Sequence, residues 1–254
     1  EGFLYRVDMR LRPWGESGPL VVSAPAYLEY LRTHARLWEK QALLKARAIA
    51  GDRDLGREFL RLAEPLLFST PPEAVRADVH AMKQRIEAQL HARQRDRGEV
   101  KLGKGSIRDV EFVTQYLQLA HGTRHPSIRS RNTLRALAAL AREGILSADD
   151  HRVLAEGYTF LRPVEHHLQV MYHRQTHVLP SDPRELAYLA RRLGFAGPDA
   201  GDQLLARYHQ HSTAIRAVYR RHLEAEPMGT ADNPQDPPTP NVGRHLSRMV
   251  PSYA

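Results

Sequence analysis

The chain contains no cysteine, only two tryptophans, and no apolar run approaching the roughly 18 residues that a membrane span needs. The missing thiols exclude a disulfide framework, a thiolate zinc site and a cysteine nucleophile, which agrees with a cytoplasmic protein. Mean hydropathy is −0.52, so no membrane partner is expected. Lysine is scarce as well, with 5 residues against 32 arginines, an excess that follows codon usage as readily as function. The net charge of +8 and pI of about 9.9 nevertheless point to an anionic partner. Aromatics are 7% of the chain and the arginines are spread beside Glu and Asp, not clustered with stacking rings. That pattern favours a nucleotide or phosphate over nucleic acid. The 254 residues suffice for one large domain or two modest ones. There is no initiator Met and nothing like a signal peptide at the start, so the chain is expected to be a piece cut within a domain.

Residues Leu4 to Arg12 alternate with a period of two. Tyr5, Val7, Met9 and Leu11 fall on one face, and Arg6, Asp8, Arg10 and Arg12 on the other. A strand here would set one carboxylate in a row of guanidiniums above an apolar face. An aspartate can hold Mg²⁺ while forked arginines neutralise phosphate oxygens. On alternation alone, a solvated strand face with charged side chains is the commoner reading. Pro13-Trp14-Gly15-Glu16-Ser17-Gly18-Pro19 then reads as a turn into a second apolar strand, giving a short hairpin with strands at about 3–12 and 19–23.

After residue 23 the period changes to about 3.6. Ser23 can cap a helix whose stripe runs Leu28, Leu31, Ala35, Trp38, Ala42, Ala46 and Ile49, ending near Gly51. Further helices are expected over Asp54 to Ala63, from Pro71-Pro72 to about Arg95, and from Ile107 to His121. Others follow from the Asn132 cap to Gly144, from the Ser147 capping box through a kink at Pro163, over Pro183 to Leu193, and over Asp199 to Glu224. From Ala225 the prolines crowd among Gly, Asn and Asp, as in a linker or disordered tail.

Lys101-Leu102-Gly103-Lys104-Gly105-Ser106 precedes one of these helices. Its glycines let backbone amides approach an anion, the helix start offers free N–H groups, and Lys101, Lys104 and Arg108 bring charge. Walker A spacing is absent, and such a segment by itself is more often a flexible loop. Asp109 and Glu111, two apart, cannot share a helical face, so at most one reaches a given site while the other serves as a structural acceptor. His173 and His177 have the i, i+4 spacing of metal ligands, but H-E-x-x-H is absent and the segment reads as a helix end. No G-x-S-x-G elbow is present either.

Arg6-Val7-Asp8-Met9-Arg10-Leu11-Arg12-Pro13-Trp14-Gly15-Glu16-Ser17-Gly18-Pro19-Leu20 closely resembles a signature of the glutamine synthetase adenylyltransferase and adenylyl-removing enzyme family. The loop and helix at 101–112 resemble the family's Lys-Leu-Gly-x-Gly-Gly-Ile-Arg-Asp-Ile-Glu-Phe, with Ser106 where Gly is usual and Val110 where Ile is usual. The serine raises the question of whether position 106 needs a positive φ. Trp38-Glu39 and Leu44-Lys45-Ala46-Arg47 match a third patch, although Trp38 sits on the apolar stripe as a core residue would. The resemblance extends to Leu223 and includes Gln175-Thr176-His177-Val178-Leu179-Pro180.

The resemblance implies a fold that is mainly α. Residues 1–100 would be the C-terminal part of a polymerase-beta-type nucleotidyltransferase α/β domain, 101–224 a helical bundle, and 225–254 the linker. It implies that Asp8 is a catalytic Mg²⁺ ligand and that Arg6, Arg10, Arg12, Lys45, Arg47, Lys101, Lys104 and Arg108 bind phosphate or nucleotide, with Asp109 and Glu111 as supporting carboxylates. It implies adenylyl transfer on glutamine synthetase, in the half that removes AMP from adenylyl-tyrosine with phosphate and releases ADP, or otherwise ATP-dependent adenylylation. A PII-type signal protein is an implied regulator. The family's other two metal carboxylates come from an earlier Gly-Ser-x-x-x-Asp-x-Asp-like strand, so the isolated chain is expected to be inactive. The alternative is a helical module that docks glutamine synthetase or a PII-type protein. A third reading is a nucleotidyltransferase relative with another acceptor.

Overall fold

The computed structural model describes residues 9, 11–94, 98–172 and 176–224. Nine α-helices follow one another among them. They are α1 (Ala24–Thr33), α2 (Leu37–Leu43), α3 (Arg53–Leu67), α4 (Pro72–Ala92), α5 (Ile107–His121), α6 (Thr133–Arg142), α7 (Ala148–Tyr172), α8 (Pro183–Arg192) and α9 (Ala200–Tyr219). The described residues contain no strand, only an isolated antiparallel bridge between Glu99 and Val178.

The hairpin is therefore corrected where it can be seen. The first expected strand lies mostly outside the described residues, and residues 19–23 are not a strand. Gly15 N–H bonds to Arg12 O at 2.9 Å and Gly18 N–H to Gly15 O at 3.2 Å, which winds the turn into a 3₁₀ segment. Pro19 has no N–H to give a ladder, and Val21 is 87% exposed with no strand beside it. The Pro-rich segment 225–254 lies outside the described residues.

The single long helix expected from Ser23 to Gly51 is two helices. Ser23 caps α1 as expected, its hydroxyl accepting from Ala26 N–H at 3.4 Å. Thr33 then turns its hydroxyl back to Glu29 O at 2.7 Å, and both His34 and Ala35 N–H converge on Tyr30 O. Glu39 restarts the helix by accepting from Arg36 N–H at 2.8 Å. This break takes Trp38 and Ile49 off the stripe, and both are exposed. The other helices lie near their expected ranges, with Asn132 and Ser147 accepting from the first-turn amides that their positions predict, and Asp182, not anticipated, capping α8 in the same way. α3 starts on the Asp52 cap and runs one turn beyond Ala63, and α7 continues through Pro163.

α5 is the centre of the bundle and packs against α4, α6, α7 and α9. Its buried residues, including Ile107, Val110, Val113, Leu117 and Leu119, face several directions, as a helix enclosed by others requires. Leu137, Leu140, Leu154, Leu161, Leu168, Ile215 and Val218 complete the same core without exposure. This fixed helix carries both Arg108-Asp109 and Glu111 and sets where their side chains can go.

Candidate functional site

The amides expected to be free at the start of α5 are occupied. Ile107 N–H donates to Val100 O at 3.1 Å, Arg108 N–H to Lys101 O at 2.9 Å, and Gly105 N–H to Asp109 Oδ2 at 2.7 Å. Position 106 has φ −101°, an ordinary value for serine, and the positive φ of +65° falls at Gly105. There a Cβ would lie 1.9 Å from Ser212 O, so glycine is required by both conformation and space. Below the loop, the Lys83 side chain is 1% exposed and donates to Leu102 O at 2.8 Å and to Gly103 O. The loop is thus held rigid by its own backbone and one buried amine.

Asp109 and Glu111 leave α5 on different sides. Asp109 is fully buried, ion-paired with Lys83, and 3.4 Å from Arg216 of α9, which also meets Glu87 at 2.9 Å. The Arg216 guanidinium covers the Tyr219 ring at 4.6 Å. Burial, then the Asp109 charge, raises the Tyr219 phenol far above its ordinary value, so it stays neutral. Asp109 is accordingly a structural acceptor. Glu111 instead pairs with Arg108 at 3.6 Å, and its charge is felt by Tyr158 of α7.

On that second side several residues converge. Glu165 of α7 has a side chain only 5% exposed, and it lies 3.1 Å from Lys101 Nζ and 2.5 Å from Arg162 Nη1. His177 Nδ1 is 3.7 Å from Glu165 Oε1 and has no hydrogen-bond partner. Burial, then the Lys101 charge, lowers the His177 pKa, so the ring is neutral near pH 7. The backbone joins the two segments, with Val100 N–H on His177 O at 2.8 Å and Leu179 N–H on Gly98 O at 2.9 Å. The Tyr158 hydroxyl, its pKa raised by burial, bonds Thr133, and Lys45 Nζ donates to Thr133 Oγ1 at 3.1 Å. Arg131 adds a bond to Ala46 O at 3.2 Å. The result is a seam in which Lys45 from the N-terminal part is tied through Thr133 to Tyr158, whose ring lies 5.9 Å from the Arg162 guanidinium, while Lys101 and Arg108 both act on the neighbouring His177. More cations than carboxylates line it, an arrangement suited to phosphate oxygens.

The remaining predicted residues divide as follows. Asp8, Arg6 and Arg10 lie outside the described residues. Arg12 braces the turn after them, its guanidinium donating to Gly18 O at 3.1 Å, Glu16 O at 3.3 Å and Met9 O. Arg47 is exposed, and Lys104 is exposed on a stretch whose main chain faces α9, its carbonyl accepting from Ser212 Oγ at 2.9 Å. Among the described residues no group of three or more His, Asp or Glu could hold a metal ion. Sequence reasoning missed Lys83, Thr133, Tyr158, Arg162 and Glu165 as parts of the site. For Arg162 and Glu165 a signal existed, since opposite charges three apart on one helix meet.

Comparison with known proteins gives two family matches. Residues 80–223 match the family described as GlnD PII-uridylyltransferase, and residues 1–62 the family described as glutamate-ammonia ligase adenylyltransferase. The seam therefore joins the two matched stretches. Among curated proteins, the bifunctional glutamine synthetase adenylyltransferase/adenylyl-removing enzyme of Streptomyces avermitilis is 41% identical over 222 residues, covering 87% of this chain and 22% of its own length. The Methylococcus capsulatus protein of the same description is 38% identical over 90% of the chain and 24% of its own length. That of Mesorhizobium japonicum is 41% identical over 80% and 21%. The chain thus spans between a fifth and a quarter of the length of these relatives.

Proposed function

This chain belongs to the family of bifunctional glutamine synthetase adenylyltransferases and adenylyl-removing enzymes, and we propose that it is the back part of a nucleotidyltransferase unit that regulates glutamine synthetase by adenylyl transfer. The observation that carries this reading is the seam, where Lys45 is tied through Thr133 and Tyr158 to the separately matched stretch that carries Lys101, Arg108 and Arg162. Cations on a rigid helical frame neutralise phosphate oxygens without reorganising when charge shifts, which is the main task in substitution at phosphorus.

Within the family the proposed half-reaction is phosphorolysis. Inorganic phosphate attacks the adenylyl-tyrosine phosphorus, the tyrosine oxygen leaves and regains a proton, and ADP departs with unmodified glutamine synthetase. ATP-dependent adenylylation is the runner-up. Trp14-Gly15-Glu16-Ser17-Gly18-Pro19-Leu20 and Gln175-Thr176-His177-Val178-Leu179-Pro180 support the removing half. Asp8 is proposed as a ligand of Mg²⁺, which when bound would offset phosphate charge. Arg6 and Arg10 are proposed beside it as phosphate contacts, and Lys45, Arg47, Lys101, Lys104 and Arg108 as the basic surroundings. A cytoplasmic setting and a PII-type regulator belong to the same proposal.

The test is product analysis with the full-length parent enzyme and adenylylated glutamine synthetase. The reading predicts ADP in the presence of phosphate and loss of this half-reaction in Asp8→Asn. Wild-type turnover by Asp8→Asn sinks the assignment. Binding of glutamine synthetase or a PII-type protein that survives Asp8→Asn, without turnover in the wild type, would favour the docking-module reading that the predominantly helical fold also suits.

A further inference from the structure

Glu165 is nearly inaccessible, yet the two cations it touches are not: the Lys101 side chain is 31% exposed and that of Arg162 49%. Its two oxygens have different work. Oε2 is pinned by Arg162, three residues earlier on the same helix, and Oε1 meets Lys101 from the loop. Gln169, one turn further along α7, points its amide at Oε1 from 3.5 Å. The frame on both sides is stiff. α7 is buried through Val164 and Leu168. The backbone from 98 to 100 is fastened to 177–179 and to the start of α5.

A lysine on a loop would ordinarily sample many rotamers, and ordering it costs entropy each time a ligand binds. Here the ammonium is ion-paired at 3.1 Å with a carboxylate held on a buried helix, which restricts its rotamers while its side chain stays 31% exposed. The carboxylate is beneath and the positive charges are at the rim, so an approaching anion meets the cations first.

We propose that Glu165 is a positioning residue: braced by Arg162, it aims Lys101 at the inorganic phosphate that the reaction consumes. This rests on the phosphorolytic reading above. The relay is directional. Arg162 fixes Glu165, Glu165 fixes Lys101, and of these three it is Lys101 that touches phosphate.

The experiment uses the full-length parent enzyme and follows ADP release from adenylylated glutamine synthetase as phosphate is varied, for wild type, Glu165→Gln, Glu165→Asp, Lys101→Met and the double variant Lys101→Met/Glu165→Gln. Losing the orienting partner of a ligand-binding group raises the KM for phosphate roughly tenfold, with kcat within about twofold. Glu165→Asp, which keeps the charge on a shorter arm, falls between. In the Lys101→Met background Glu165→Gln adds little, because its effect passes through the lysine. An unchanged phosphate KM in Glu165→Gln, or an equal effect in the Lys101→Met background, overturns the inference while leaving the phosphorolytic reading intact. A wild-type enzyme whose product release ignores phosphate overturns that reading itself, and the inference with it. Should Glu165→Gln fail to fold, the same KM against kcat split is read on Glu165→Asp. Failure of both to fold overturns the positioning role in favour of a structural one.

Discussion

Lys83 and Asp109 form an ion pair in which neither side chain is more than 1% exposed, one from α4 and the other from α5. Each has further polar partners, carbonyls of the loop for Lys83 and the Gly105 amide with Arg216 for Asp109. The pair anchors the loop that presents Lys101. Removing Asp109 leaves the buried Lys83 amine with the more distant Glu87 carboxylate at 3.6 Å, and removing Lys83 leaves Asp109 with Arg216 at 3.4 Å, so either change loses a close counter-charge in the core.

Asp109→Leu is expected to destabilise the chain by about 3 kcal/mol, the low end of the usual cost of breaking a buried pair, because Glu87 still stands 3.6 Å from the Lys83 amine. Lys83→Met/Asp109→Leu together should cost clearly less than the two single changes combined. Urea unfolding of the three variants measures this, and strict additivity would contradict the pairing.

Two glycines with nearly the same positive φ should respond differently to alanine. At Gly144, φ +69°, nothing lies within 4 Å of an added Cβ, so only the backbone strain of about 1–2 kcal/mol is expected. At Gly105 the same change also drives Cβ into Ser212 O, and the loss should be severe, with Tm falling much further. Equal Tm shifts would contradict this account of the loop.

His211, 8% exposed and stacked on Phe160 with ring centroids 4.8 Å apart, has its pKa lowered by burial and then by Arg207. His177 is lowered in the same direction. Below the ordinary histidine pKa of about 6.5 the unfolded chain takes up protons that the folded chain does not, so stability falls with pH through that region. Chemical denaturation across this range should show the slope, and His211→Gln should reduce it.

Lys40 is buried and its amine meets two hydroxyls, Ser69 Oγ at 3.1 Å and Thr70 Oγ1 at 3.0 Å, while burial lowers its pKa. Thr70→Val leaves the amine short of an acceptor and should cost about 1–3 kcal/mol. Lys40→Met, which removes the charge and keeps the stem, should cost less. Thermal melts of the two variants decide it, and the reverse order would contradict the description.

The helical frame was legible because its caps are local. Asn132 and Ser147 each act within three residues of themselves, and α5 begins and ends where its apolar period does. The break at His34 to Arg36 was not legible, since the apolar stripe runs on unbroken through it. Only the back-bond of Thr33 and the reach of Glu39 reveal it. Lys101, Arg108 and Lys45 were singled out by residue type and resemblance, but their assembly depends on partners far away in the chain. Glu165 is 64 residues from Lys101, and Thr133 is 88 from Lys45. Lys83 carries no local mark of its burial, because nothing nearby in the sequence distinguishes a lysine that will be covered by a loop. The expected hairpin misread exposed Leu20 and Val21 as strand, where Pro19 and the turn braced by Arg12 leave no ladder.

The most direct test of the central claim is the phosphate dependence of ADP release by the full-length parent enzyme carrying Arg108→Gln and Lys101→Met at the seam. The account predicts that the double variant folds, retains affinity for adenylylated glutamine synthetase, and needs far more phosphate to reach half its maximal rate. A phosphate saturation curve superimposable on wild type would contradict it.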